Sequence, residues 1–364
     1  MTDVEIHCNK ERGQKFIKDV EQKRFHFSFV ISYTETAEIP GITVAGADPD
    51  FIKYTPPADA EFIQHGFCKS IDVIPMTPDG KPTPALLTRT SLQHADIPQI
   101  VINAGSKIHP KTPFFETGLP FGKNISKEPG LEKSSVMRGI DYGKKVGNVL
   151  ALSTDCLVIG ECIPGGTTTA LAVMKGLGID ARVSSSMPNN PQSLKNQIVE
   201  KVLERSDSKE PYDVIANAGD PMIPFVAGML STASEITNVI LAGGTQMAAV
   251  LALAKSVGYD KDRVAIGTTS YIIDDSSANF LEIIKQISDI PVLSINPKLE
   301  DSKFDGLHAY SKGFVKEGAG AGGSMIASVL KTGISSEKLL DLIDNEYSRA
   351  VSYTHLRAHE TSLH

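Results

Sequence analysis

The chain has 364 residues, 36 Lys+Arg against 43 Asp+Glu for a formal net charge of −7, and 41% hydrophobic and 22% charged residues. That near-average balance excludes disordered and collagen-like chains, and the acidic surplus excludes a general binder of nucleic acid or anionic membrane, whose surfaces need positive fields. Thirty Gly and 21 Pro with no Trp predict an α/β protein with many tight, Gly-rich turns at its strand ends.

The opening MTDVEIHCNKERGQKF is charged and has no apolar core, so no signal peptide is expected. No apolar run reaches the ~18 residues of a membrane span, and a cytoplasmic protein is the expectation. Three apolar, β-branched runs follow as predicted strands: Phe27–Tyr33, Ile42–Ala47 and Gln99–Gly105. From Ile108 to Gly147 strand signal is poor, with many Lys and Pro. So long a stretch predicts a lid over the ligand edge of a sheet or a plain surface excursion, with a helix from Lys133 onward.

Helices are predicted over Thr168–Leu177 and over Ser193–Glu204, where Leu194, Ile198 and Val202 recur at i, i+4 and i+8. Further strands are predicted at Asp213–Gly219, Asn238–Gly244, Arg263–Thr268 and Pro291–Asn296. Near-continuous apolar strands alternating with helices predict a doubly wound, mostly parallel α/β sheet, Rossmann-like with three layers and appended N- and C-terminal helices. One domain over residues 1–351 is expected, its core about 28–350. The last stretch, SYTHLRAHETSLH from Ser352 to His364, resembles a vector-derived tail. The four cysteines, Cys8, Cys68, Cys156 and Cys162, are too scattered for a disulfide framework or a zinc site and are expected to be buried thiols.

Two Gly-rich segments carry the chemistry. In Gly160–Ala170, GECIPGGTTTA, Gly165 and Gly166 permit close backbone approach, and Thr167 and Thr168 open a helix whose free N–H groups favour a phosphate. The Lys of a Walker A loop is missing, and Glu161 at the mouth of an anion site is expected to bind sugar hydroxyls or orient a base. A sequence echo 78 residues later, Gly243-Gly244-Thr245, places a second such turn at a strand end. The second segment is Lys316–Ser324, KEGAGAGGS, in which Gly318, Gly320 and Gly323 match GxGxxG formally but follow a charged, mixed stretch rather than a buried strand. Glu317 reads better as a carboxylate held before a helix start, where burial raises its pKa toward that of a general base. Polar strand ends at Asn103–Gly105, at Asn217, Gly219 and Asp220, and at Gly267–Ser270 complete the predicted ligand edge. Asp274-Asp275 reads as an acidic helix start rather than a Mg²⁺ site.

GECIPGGTTTALA together with KEGAGAGGS resembles the nicotinate-nucleotide–dimethylbenzimidazole phosphoribosyltransferase family in its archaeal-type branch, and NAGDPMIPFVAGM, ILAGGTQMAAVLALAK and IGTTSYIIDDSSANF extend the resemblance over roughly Ser28 to Ala350. It implies a homodimeric enzyme of cobalamin lower-ligand assembly. Such an enzyme takes nicotinate mononucleotide and a benzimidazole or purine-like base, with no cofactor and no metal. Gly160, Glu161, Gly165, Thr167 and Thr168 fall on the fixed positions of the family's GE-x-G-I-G-N-T-T turn, and Glu317 falls on its catalytic Glu, followed by Gly318 and Gly320. The chain departs at Ile163, Gly166, Phe314 and Lys316, where bacterial relatives have Gly, Asn, Arg and Gly. The implied site therefore has Glu317 as base. Glu161, Gly165, Gly166, Thr167, Thr168, Asn217, Gly219, Asp220, Gly243, Gly244, Thr245, Lys316, Gly318 and Gly320 hold substrate, and Lys195, Lys312 or Lys316 supplies a cation. Two other readings remain at this point: a nucleotide- or base-binding relative without activity, and an NAD(P)-dependent oxidoreductase using the GxGxxG match.

Overall fold

Runs of β-branched residues become the sheet, and stretches with helical periodicity become the helices that cover it. The structure, a computed structural model, describes residues 3–45, 49–72, 74–75 and 81–361. In chain order it begins with β1 (Val4–Cys8), α1 (Lys10–Val20), β2 (Phe25–Ile31), α2 (Thr55–His65), α3 (Ala85–His94), β3 (Gln99–Asn103) and β4 (Phe115–Glu116). Next come α4 (Lys133–Ala151), β5 (Cys156–Cys162), α5 (Gly166–Gly176), α6 (Gln192–Arg205), α7 (Pro211–Ala218) and α8 (Met222–Ile236). It then runs through β6 (Asn238–Ala242), α9 (Thr245–Val257), β7 (Val264–Thr269), α10 (Ser270–Ile273), α11 (Phe280–Ile287) and β8 (Pro291–Ile295). The last helices are α12 (Asp305–His308), α13 (Ala321–Thr332) and α14 (Ser336–Thr361).

The sheet order is β1-β8-β7-β6-β5-β2-β3-β4. Every neighbouring pair is parallel except β1, which lies antiparallel on β8. From β2 the chain winds outward through β3 and β4, and from β5 it winds the other way through β6, β7 and β8. The order therefore reverses between β2 and β5, and the crevice outside the carboxyl ends of those strands is where open α/β sheets take their ligands. All seven residues of β5 are buried, and their alternation feeds two cores. Leu157 and Ile159 pack with α5, α8 and α9, whereas Cys156, Val158 and Cys162 pack with α3 and α13. The result is the expected three-layered, doubly wound sheet.

Several local expectations fail for physical reasons. Asp213–Gly219 is not a strand but most of α7, with Pro211 in its first turn and Val214, Ile215 and Ala218 on the buried side. A short apolar run cannot by itself distinguish a strand from a buried helix. Ile42–Ala45 is irregular chain that lines a cavity instead of pairing in the sheet; the rest of that predicted strand, Gly46 and Ala47, lies outside the described residues. The edge strand β1 and the two-residue β4 have no strong sequence signal, and β5 is only implied by the strand-turn-helix echo. The segment 108–147 supplies none of the cavity wall. Its helical half, from Lys133, is α4 as expected. The cysteines are free thiols, with Cys68, Cys156 and Cys162 buried.

Helices α4 and α8 approach closely because Gly139, Gly143 and Gly147 form a stripe at four-residue spacing along α4, against Pro224, Phe225 and Met229 of α8, while Gly228 of α8 lies against the Ile140 backbone. A Cβ on Gly143 would lie 2.0 Å from the Phe225 carbonyl oxygen, so a side chain there must push the helices apart. Gly143→Ala is expected to cost about 1–3 kcal/mol, the usual range for overpacking. Urea unfolding would show this as a lower midpoint at unchanged slope. On the opposite layer, the C-terminal helix α14 is tied to α3 by the buried Arg89–Glu346 ion pair at 2.7 Å.

Candidate active site

A cavity of about 490 Å³ opens at the carboxyl end of β5 and extends past the carboxyl ends of β6 and β7. Its wall is assembled from the chain after β2, the first turn of α2, residues 82–84, the turn between β5 and α5, Ser184–Ser186, the start of α9 and residues 315–319.

Gly165 sits at φ +76°, against Ala37, where a Cβ would come within 2.9 Å of the Ala37 Cα. Only Gly fits this left-handed position at such close approach. The turn delivers Gly166 and Thr167 to the cavity at the N-terminus of α5. One strand further along the sheet, Gly244 and Thr245 deliver the N-terminus of α9 to the same space. The echoed Gly-Gly-Thr turns are thus neighbours in space, and two helix N-termini face one cavity.

Glu317 lies just before α13 and keeps partial exposure. Its Oε2 accepts from the Thr269 N–H at 2.9 Å and the Thr268 hydroxyl at 3.2 Å, and its Oε1 from the N–H groups of Gly318 and Gly322 at 3.1 Å each. Enclosure by protein pushes its pKa up to about 7, against the downward pull of those four donors. The loop that holds it is strained: Val315 and Ala319 adopt positive φ of 58° and 50°, conformations costly for residues with a Cβ. Gly322 and Gly323 lie directly against Thr268 and Ala242, so the third Gly of the GxGxxG match serves helix-sheet packing. The segment also follows α12 and a loop rather than a strand, which removes the context a dinucleotide fingerprint requires.

Glu161, the last residue but one of β5, is 3% exposed, and its Oε2 has no hydrogen-bond partner among the described residues. Burial, then the nearby charges of Asp220 and Glu317, push its pKa up to about 8. That shift favours the protonated acid at neutral pH, in the cavity wall. Asp220 is fully buried behind it. Its Oδ2 accepts from the Thr169 hydroxyl at 2.5 Å, and its Oδ1 from the N–H groups of Met222 and Ile223. It organises the starts of α5 and α8 without lining the cavity.

Lys316 and Asp275 form an ion pair at 2.9 Å, each side chain 7% exposed. Asp275 also accepts from the hydroxyls of Ser184 and Ser277. Asp274 closes the C-terminal end of the short α10, so the acidic pair does not start a helix as expected. Lys195 is fully buried and donates from Nζ to the Ser184 carbonyl at 3.0 Å. Burial and then the Lys316 charge pull its pKa down to about 7. Lys312 is exposed and outside the cavity wall.

The cavity thus brings together Glu161, Gly165, Gly166, Thr167, Gly244, Thr245, Lys316, Glu317 and Gly318. The other predicted site residues lie behind or away from it. Thr168 is wholly buried, its hydroxyl without a partner among the described residues. Gly243 sits under the Glu161 carboxyl, and Gly320 allows α13 to touch Gly160. Asn217 accepts from Arg205 Nε at 2.7 Å and donates to the Val202 carbonyl, and Gly219 packs against Ile215 and Gly130, so both are structural. Sequence reasoning missed Asp59 and Ser184–Ser186, which line the cavity. The available signals are an acid set among the buried apolar residues of α2 and a run of three serines after a predicted helix.

A family model described as phosphoribosyltransferase (DBI_PRT) matches residues 92–270. The UPF0284 protein of Archaeoglobus fulgidus is 46% identical over 340 residues, covering 93% of this chain and 98% of the relative. That of Sulfurisphaera tokodaii is 42% identical over 332 residues, covering 90% and 94%. Among solved structures, the nicotinate-nucleotide–dimethylbenzimidazole phosphoribosyltransferase of Thermus thermophilus matches with a TM-score of 0.60 at 17% identity, over 88% of this chain and 84% of that one. CobT of the same organism matches with a TM-score of 0.57 at 16% identity, over 90% and 89%. Both share the fold. By these matches the chain belongs to the UPF0284 family, and the phosphoribosyltransferase model matches its central half.

Proposed function

We propose that the chain transfers the phosphoribosyl group of nicotinate mononucleotide to a nitrogen of a benzimidazole-type base, giving an α-ribazole phosphate and nicotinate for cobalamin lower-ligand assembly. The observation that carries this reading is Glu317, an enclosed carboxylate with a pKa near neutrality, held in a cavity that two helix N-termini also face. In the reaction, the acceptor nitrogen's lone pair attacks the anomeric carbon as its bond to the pyridinium nitrogen breaks. The bonding pair returns to nicotinate, a leaving group already activated by its positive charge. Attack from the opposite face turns the β-nucleotide into an α-product. Glu317 takes the N–H proton from the acceptor's other ring nitrogen. Its negative charge also favours oxocarbenium character at the anomeric carbon. The Gly165–Thr167 turn and the start of α9 supply N–H groups to the 5′-phosphate, and the neutral Glu161 offers its O–H to the ribose without repelling that phosphate.

The test is incubation of the full chain with nicotinate mononucleotide and a panel of benzimidazoles and purines. Nicotinate should be released only when an acceptor base is present. Tight binding of the mononucleotide with no release under any base would instead mark a binding protein and overturn the proposal.

A further inference from the structure

Strand alternation divides the cavity into two sides. Glu161 points toward the layer of α5 and α9, whereas its neighbour Cys162 points toward the layer of α3 and α13. The phosphate-type N–H groups lie on the first side. The second side holds Glu317, Val315, Pro82 and Pro84, with Tyr54 and Ile74 nearby in the wall. This side of the wall is a mostly apolar slot that also carries Glu317.

Asp59 of α2 stands in that slot, 4% exposed and part of the wall. Its Oδ1 accepts from the Thr83 hydroxyl at 2.8 Å, and its Oδ2 from the Cys162 thiol at 3.3 Å, a weak donor. Burial pushes its pKa up to about 6, offset by those two donors, and among the described residues no cation faces it. At neutral pH the carboxylate is therefore charged, buried and short of partners. A carboxylate has about four acceptor positions, and a buried one left unsatisfied is costly. Holding Thr83 in place needs one oxygen, which an Asn would provide equally well.

We propose that Asp59 selects the acceptor base by taking a hydrogen bond from a donor on the base other than the ring N–H given to Glu317. The acceptor class is then a benzimidazole or purine-type base bearing a hydroxyl or amino group, in preference to one bearing only methyl groups. This rests on the transferase reading above. A methyl group against Asp59 leaves the buried carboxylate unpaired and brings no compensation, which disfavours such a base about ten-fold or more.

The experiment compares benzimidazole, 5-methylbenzimidazole, 5-hydroxybenzimidazole, 5-aminobenzimidazole and adenine with the full chain. The readouts are kcat/KM for nicotinate release and, independently, the base Kd by calorimetry at saturating nicotinate. A hydroxyl or amino base is expected to exceed the methyl base about ten-fold or more in both readouts. The ratio should fall in Asp59→Asn and reverse in Asp59→Leu, while the Kd for nicotinate mononucleotide is unchanged. A wild-type preference for the methyl base, or a ratio that persists in Asp59→Leu, overturns the assignment. The wild-type comparison decides even where a variant fails to fold. Absence of turnover with every base overturns the transferase reading alone, provided the donor preference in Kd remains; loss of that preference as well overturns both.

Discussion

Replacing Glu317 by Gln is expected to slow nicotinate release by ~10²–10⁴-fold, the range for removal of a general base, while nicotinate mononucleotide still binds. The amide has the same shape but cannot accept the proton, and the N–H groups assigned to the phosphate lie on other elements, α5 and α9. It also turns an NH₂ group toward two of the four donors that now serve the carboxylate. A melting curve must therefore accompany the rates. Wild-type pH dependence supplies an independent check. Glu317 must be ionised to act, so kcat/KM should rise with pH through about 7. Glu161 is neutral below about pH 8, and its ionisation places a negative charge beside an anionic substrate, so the rate should fall again above that. The two carboxyls interact, and the two arms of the curve describe the pair rather than either residue. The rising arm should vanish in Glu317→Gln. Near-wild-type turnover in this variant would remove Glu317 from the chemistry.

The second large effect is on stability. Lys316→Met strands the Asp275 carboxylate in a buried site, and removal of one partner of a buried ion pair typically costs 3–5 kcal/mol. Here about 3 kcal/mol is expected, because Ser184 and Ser277 continue to donate to Asp275. Burial alone raises the Asp275 pKa, but the two serines and Lys316 more than reverse it, so the folded carboxyl lies below its ordinary value. Its stabilising contribution is therefore present above the unfolded pKa of about 3.9 and is lost as pH falls through the folded value. The wild type should lose its advantage over Lys316→Met in that acid range. Adding Asp275→Asn to Lys316→Met should recover part of the loss at neutral pH. A single-variant loss below about 1 kcal/mol by urea unfolding would show that solvent reaches the pair as at a surface.

The sheet was readable from sequence because parallel strands buried on both faces leave uninterrupted runs such as Asn238–Ala242 and Pro291–Ile295. The same lack of alternation disguised α7, since a helix buried by its neighbours is equally apolar over seven residues. The two Gly-Gly-Thr turns were legible because their chemistry is local: a left-handed Gly and a free helix N-terminus. Glu317 was legible for the same reason, sitting beside glycines that only a tight loop before a helix explains. Asn217 and Gly219 read as a strand end only because α7 read as a strand. Asp59 was not legible, since its role depends on Cys162 and Thr83, 103 and 24 residues away. Lys316 reads from sequence as a free cation, and only the fold reveals Asp275 at its end.

The proposed reaction is a group transfer, and its products distinguish it from hydrolysis. The full chain, nicotinate mononucleotide and a benzimidazole acceptor should give nicotinate and a ribosylated, phosphorylated base in equal amounts. Proton NMR of the anomeric hydrogen should show the α configuration. Nicotinate accompanied by free ribose 5-phosphate, or a product that keeps the β configuration, would contradict in-line transfer to a base deprotonated by Glu317.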